Sequence, residues 1–232
     1  MADRSSAQPV ASDSTGDQAR PPAAKGYPLA ADVLRPSLVG DLAAILAGAC
    51  LIGLLSQVVI GLPGEFAPIT GMSLAVLLVG ALGGAYRGMM SVLAWAVAGF
   101  AGMPWFIYGN SGFDLLNDLT DILVLVVFLV VAGVVGLLAR RGWTASVGRS
   151  VLLGVLGLLL IDLLTAAVVM LAQAPLGQAL YESAVRQLPA DVVRLAVFVA
   201  VVWVANRFGV AAQEARPAPV DPGPSAVGAG VR

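Results

Sequence analysis

Six apolar runs of roughly twenty residues, at 42–60, 69–85, 88–106, 119–140, 150–172 and 190–207, leave this chain few folds to adopt. At 1.5 Å of rise per residue, about 20 helical residues cross the ~30 Å hydrocarbon core of a bilayer. Within that core every backbone N–H and C=O must be satisfied locally, so helices are expected. Only 12% of the residues are charged and 59% are hydrophobic. A soluble domain carries about 25% charged residues and could not hide this much apolar surface from water. The second run is the shortest and is expected to stand steeply or to lie partly inside the protein. The fold class that follows is an all-α membrane protein with six transmembrane helices over 37–208.

Lys and Arg set the orientation. Arg4, Arg20, Lys25 and Arg35 precede the first run, and Arg87 lies between runs two and three. Arg140, Arg141 and Arg149 lie between runs four and five, and Arg207, Arg216 and Arg232 follow run six. Six crossings place all of these on one side. The other side keeps Arg186 and Arg194, with the acids Glu65, Asp114, Asp118, Asp121, Glu182 and Asp191. The positive-inside rule then expects both termini in the cytoplasm and a multi-pass protein of the cell membrane. The Ser-, Ala- and Pro-rich residues 1–36 read as a disordered arm, and the Pro- and Gly-rich 209–232 as a disordered tail.

Composition narrows the chemistry. The chain has no histidine, which removes the usual general base, the commonest zinc ligand and every Ser/His or Cys/His pair. The single cysteine, Cys50, sits in an apolar run and reads as a small packed residue. No GxxxxGK[ST] phosphate loop is present, so active transport would draw its energy from a partner or an ion gradient. No enzyme, metal, cofactor or nucleic-acid role is expected.

The expected outer loops are LPGEFAPIT at 62–70, GMPWFIYGNSGFDLLNDLTD at 102–121 and APLGQALYESAVRQLPAD at 174–191. They bring together Trp105, Phe106, Tyr108, Phe113 and Tyr181 with Asn110, Asn117 and Gln187. Apolar walls with a few convergent polar groups suit a small organic ligand. An aromatic belt at the bilayer surface would use the same ring residues. Asp191 and Arg194 lie one turn apart at the start of run six and so share a helix face. They read either as a cap with a local ion pair, or as a ligand site at membrane depth, where ionisable residues usually face a cavity. Asp162, mid-run in LLLIDLLTAAVV, must be paired, protonated or wet. In run one, Ala43 and Ala47 follow the four-residue spacing that lets helices approach closely, within the monomer or against a partner.

Several of these residues also form a pattern. PIT at 68–70, LAVLLVGALGG at 74–84, Arg87-Gly88, Ser91, Gly99 and the G-x-P of 102–104 with Phe106 resemble the BioY family. Leu188-Pro189-x-Asp191-x-x-Arg194 is similar to that family's LPGDxxK. These are biotin-specific substrate-capture (S) components of energy-coupling-factor transporters. The resemblance covers about residues 42–207. It implies an S-component fold and a biotin pocket roofed by the loops after spans one and three. It implies ligand contacts at Asn110, Asp191 and Arg194, the ring head meeting the first two and the carboxylate meeting Arg194. Trp105, Phe106 and Tyr108 would wall the apolar part. It also implies a coupling transmembrane subunit, docked near Ala43 and Ala47, with two ATPases. The chain departs from the pattern where Met72 replaces Gln, where NDLTD at 117–121 replaces PTxGY, and where Arg194 replaces Lys. The departures admit another small vitamin or precursor as cargo. A non-transporting membrane scaffold would share the small-residue helix faces.

Overall fold

The computed structural model describes residues 38–64, 66–106, 109–112, 119–171 and 175–214, the last six of these by backbone alone. The arm expected at 1–36 lies outside the described residues, as do 215–232 of the expected tail. Among the described residues the regular elements are helices but for one short β pair. Helix α1 is Leu38–Ser56, β1 is Val59–Ile60, β2 is Ile69–Thr70 and α2 is Gly71–Phe100. Helix α3 is Leu119–Leu138, α4 is Val147–Leu171, α5 is Leu176–Leu180 and α6 is Leu188–Glu214. Wide π-helical turns follow α3 at Ala139–Trp143 and α5 at Tyr181–Val185. Five helices among the described residues are long and apolar enough to cross a membrane.

Two of the six expected spans fall within α2, which is broken at Gly84 with φ 76° and ψ 176°. That conformation is essentially restricted to glycine. The chain reverses there. In a straight helix residues 80 and 88 would stand about 12 Å apart, yet a Cβ on Gly88 would lie 3.0 Å from the Gly80 Cα. The two halves of α2 thus form a tight hairpin with glycine against glycine, as small residues permit. Helix α3 completes the crossing. A Cβ on Gly80 would meet the Ala132 carbonyl at 2.8 Å, and Gly136 faces the backbone at Gly84 and Ala85.

This hairpin is the centre of the bundle. Every residue from Gly71 to Ala81 is buried, which fits the short second run. Helices α1 and α3 pack most extensively on α2, and α4 and α6 complete the enclosure. The core joins Ile52 of α1, Trp95 of α2, Val131 and Val135 of α3, Leu153 of α4, and Phe198 and Val202 of α6. The outward faces of α1, α4 and α6 carry exposed Leu and Val, as lipid contact requires. Cys50 on α1 is also exposed, not packed as its apolar setting suggested.

The end of the bundle bearing the Gly84 turn is fastened by polar contacts. Arg87 Nε donates to Asp41 Oδ1 at 2.8 Å, tying the hairpin to the first turn of α1. Asn206 of α6 donates to the Thr144 carbonyl in the α3–α4 connection. Helix α6 runs on to Glu214, past the 208 boundary drawn from hydropathy.

Candidate ligand site

At the opposite end, three connections converge. The α1–α2 connection is closed by β1 and β2, antiparallel with Val59 opposite Thr70 and Ile60 opposite Ile69. Ala67 N–H donates to the Arg186 carbonyl at 3.0 Å, so this connection rests on the turn after α5. Thr70 has extended backbone, with φ −103° and ψ 136°, and ends the pair where α2 begins.

Arg194 gathers this end of the fold. Its Nε donates to the Thr70 carbonyl at 3.2 Å, and its Nη2 to Thr70 Oγ1 at 3.1 Å. Its Nη1 donates to Gln187 Oε1 at 3.2 Å and to Asp191 Oδ1 at 2.7 Å. Four hydrogen bonds thus occupy four of the five guanidinium N–H groups. The rigid fork of an arginine suits this multiple role where a lysine would offer one compact charge. Arg194 is 4% exposed and Asp191 8%, so the pair is an ion pair inside the bundle. Desolvation makes such a pair valuable only when its hydrogen bonds are satisfied, as they are here.

Asp162 completes the cluster from α4. Helices α4 and α6 run antiparallel, with Gly154 seated against Leu195 and Phe198. Two turns further along α4, Asp162 therefore meets the start of α6. Its carboxyl lies within electrostatic reach of Asp191 and of the Arg194 charge. It is 8% exposed. Burial beside Asp191 and Arg194 fits both readings of Asp162, as a polar group facing another helix and as part of a substrate or proton site. Thr70, Gln187, Asp191 and Arg194 form one hydrogen-bonded network between the starts of α2 and α6, with Asp162 of α4 buried beside it.

The aromatic loop forms a second group. The Phe106 ring is 7% exposed and packs edge-on to Trp95 at 5.1 Å and tilted against Phe100 at 5.3 Å. It occupies the space left by the missing side chain of Gly99. The Trp105 ring lies on Gly53 of α1, where a Cβ would come within 2.8 Å of it. Both rings are thus packed into the bundle. Asn110 is exposed at the tip, its carbonyl accepting from Phe106 N–H at 3.1 Å. Tyr108 and Asn117 lie outside the described residues.

The structure therefore brings Asp191 to Arg194, and seats the neighbouring Trp105 and Phe106 rings apart, on Gly53 of α1 and Gly99 of α2. No hydrogen bond or ion pair joins the two groups among the described residues. Sequence reasoning missed the fastening of Arg194 to Thr70, and missed Ser56 and Gln57, which hold the aromatic loop. The signal for the last two was present in a polar Ser-Gln dipeptide closing an apolar run. Ala43 and Ala47 are both exposed on α1. Ala47 also lines a groove of about 210 Å³ between α1 and both halves of α2, with Gly48, Leu82, Arg87 and Ser91.

A family model described as the BioY family matches residues 25–209. Among solved structures, the chain is similar to the S-component for biotin from an ECF-type ABC transporter. The two share 20% identity with a TM-score of 0.61, over 73% of this chain and 90% of the other. The fold is thus that of the S-component. No curated protein matches the chain.

Proposed function

The chain belongs to the BioY family, and we propose that it is the substrate-capture subunit for biotin uptake across the cell membrane. It is a multi-pass membrane protein that binds its cargo without transforming it. A coupling transmembrane subunit and ATPases supply the energy, since the sequence has no phosphate loop of its own. Both termini lie in the cytoplasm, where Lys and Arg are concentrated. The exposed face of α1 around Ala43 and Ala47 takes the coupling subunit.

The buried Asp191–Arg194 pair carries this reading. It stands where the family's acidic and basic residues begin the last helix. A ureido head offers N–H donors and a carbonyl acceptor. The carboxylate of Asp191 accepts from such a head, and the side chain of Asn110 meets it from the loop. Arg194 is already bound to Thr70, Gln187 and Asp191. That favours a role in fixing the Asp191 carboxylate and balancing its charge over a role as the main seat of the ligand carboxylate. Trp105 and Phe106 support the apolar wall from behind.

Direct titration of purified protein with biotin tests the proposal. Saturable binding at or below micromolar biotin is expected for the wild type. Asp191→Ala should weaken it by about 100-fold, because a ligand donor and Arg194 then both lose their acceptor in a dry site. Absence of saturable binding in the wild type would sink the biotin assignment.

Met72 favours a second reading of the cargo. It replaces an amide with a thioether on the first turn of α2, beside Thr70, and is 8% exposed. A thermal-shift panel of small vitamins separates the readings, since only a true ligand stabilises by mass action. Another vitamin raising the midpoint while biotin does not would select the second.

A further inference from the structure

We propose that Gln57, with Ser56, is a positioning residue for ligand capture: the last turn of α1 latches the 102–112 loop and so sets the place of Asn110. This rests on the biotin-capture reading of the loop.

Three successive carbonyls of that loop, at 104, 105 and 106, are turned toward the end of α1. Gln57 Nε2 donates to Pro104 O at 3.2 Å and to Phe106 O at 2.9 Å. Between them, Trp105 O accepts from Ser56 Oγ at 2.5 Å and from Trp95 Nε1 at 3.1 Å. Gln57 Nε2 also approaches Ser56 Oγ at 3.1 Å. All three neighbours of this nitrogen can accept, so the amide must point its NH₂ at the loop. The side chain acts as a donor clamp.

The clamp reaches Asn110 through the backbone of Phe106. Phe106 O accepts from Gln57 and also from Gly109 N–H at 3.0 Å, while Phe106 N–H donates to Asn110 O at 3.1 Å. Gly109 has φ 74°, a conformation that glycine adopts without steric cost. Gly112 N–H then donates to Gly99 O at 2.9 Å, closing the loop onto α2. The rings of Trp105 and Phe106 anchor the root of the loop in the core. Gln57 is exposed, whereas Ser56 is fully buried. Gln57 is therefore the part of the latch whose loss leaves the core intact. A ligand contact displaced by a fraction of an ångström is a weak one.

Full-length protein in detergent, carrying Gln57→Ala, Gln57→Glu or Gln57→Lys, tests this. Biotin affinity, its dissociation rate, the ligand-free thermal midpoint, and amide hydrogen exchange at Phe106, Gly109 and Gly112 are measured. Gln57→Ala removes the donors, and Gln57→Glu keeps the size but presents acceptors to carbonyls. Both should lose about tenfold in affinity through faster dissociation. Both should exchange faster at the three amides, with the midpoint unchanged. Gln57→Lys restores a donor and should recover most of the affinity and protection. Unchanged exchange in the Ala and Glu variants would overturn the latch. Faster exchange with unchanged affinity, or equal losses in all three variants with a lowered midpoint, would overturn the positioning role. Wild-type protein that fails to bind biotin would overturn the capture reading on which that role rests, while exchange still reports the latch.

Discussion

Arg194→Ala should abolish measurable biotin binding and lower the thermal midpoint, whereas Arg194→Lys should keep both within reach of the wild type. The guanidinium is the sole cation hydrogen bonded within the described network, where it faces Asp191 and Asp162. Truncation leaves buried carboxyl groups without a countercharge and strips Thr70 and Gln187 of their donor. Removing one partner of a buried pair costs about 3–5 kcal/mol. For a chain of this size that corresponds to a fall of roughly 6–20 °C in the midpoint. Binding suffers further, because Asp191 is then free to turn from the ligand and Thr70 no longer ties α2 to α6. The lysine variant keeps the charge but cannot span Thr70, Gln187 and Asp191 at once. An intermediate result, with affinity reduced about tenfold, is expected. The measurement is a biotin titration beside a thermal melt, with and without ligand. Wild-type affinity in the Ala variant would show that the network does not support the ligand site.

The parts of this network differ in how far the sequence disclosed them. Asp191 and Arg194 are three residues apart, so helix geometry alone placed them on one face. Thr70 lies 124 positions away from Arg194. No periodicity links such positions, and only the family pattern drew attention to both. Asp162 looked solitary because hydropathy marks a charge in a span without saying which helix it faces. Its partner emerged from the antiparallel register of α4 against α6, set by Gly154 under Leu195 and Phe198.

The aromatic loop shows the converse limit. Trp105, Phe106 and Asn110 were legible as a cluster in one connection. Whether a ring lines a pocket or fills the core is not written in its own neighbourhood. What each ring rests on depends on Gly53 and Gly99, whose missing side chains leave room for the two rings. The spans were the most legible feature, since hydrocarbon thickness fixes their length and composition directly. The burial of the second span followed from its shortness. The tightness of its return depended on backbone conformation at Gly84, which composition merely permits.

That return is where a single added side chain should do the most damage to the fold. Gly88→Leu is expected to prevent accumulation of folded protein, or to lower the midpoint so far that no cooperative melt remains. The Cβ alone would sit 3.0 Å from Gly80 Cα, 3.2 Å from Gly80 N and 3.2 Å from Val79 O. All three neighbours are backbone, so no side chain can rotate out of the way. The first half of α2 is held on its other side, since Gly80 is equally close to the Ala132 carbonyl of α3. Relief must therefore come from separating the two halves of α2, which opens the most buried of the described membrane-spanning helices. Overpacking in a well-filled core usually costs about 1–3 kcal/mol. A branched residue driven between two backbones exceeds that range, because neighbouring contacts are lost along the whole crossing. Gly148, in the first turn of α4 with nothing within 4 Å of its Cβ position, supplies the control. Gly148→Leu should express and bind ligand as the wild type does. Comparing the monodisperse yield and melt of the two variants in one detergent separates the crossing from a general intolerance of glycine replacement. Wild-type behaviour of Gly88→Leu would mean that the hairpin does not close as tightly as the Gly80–Gly88 contact requires.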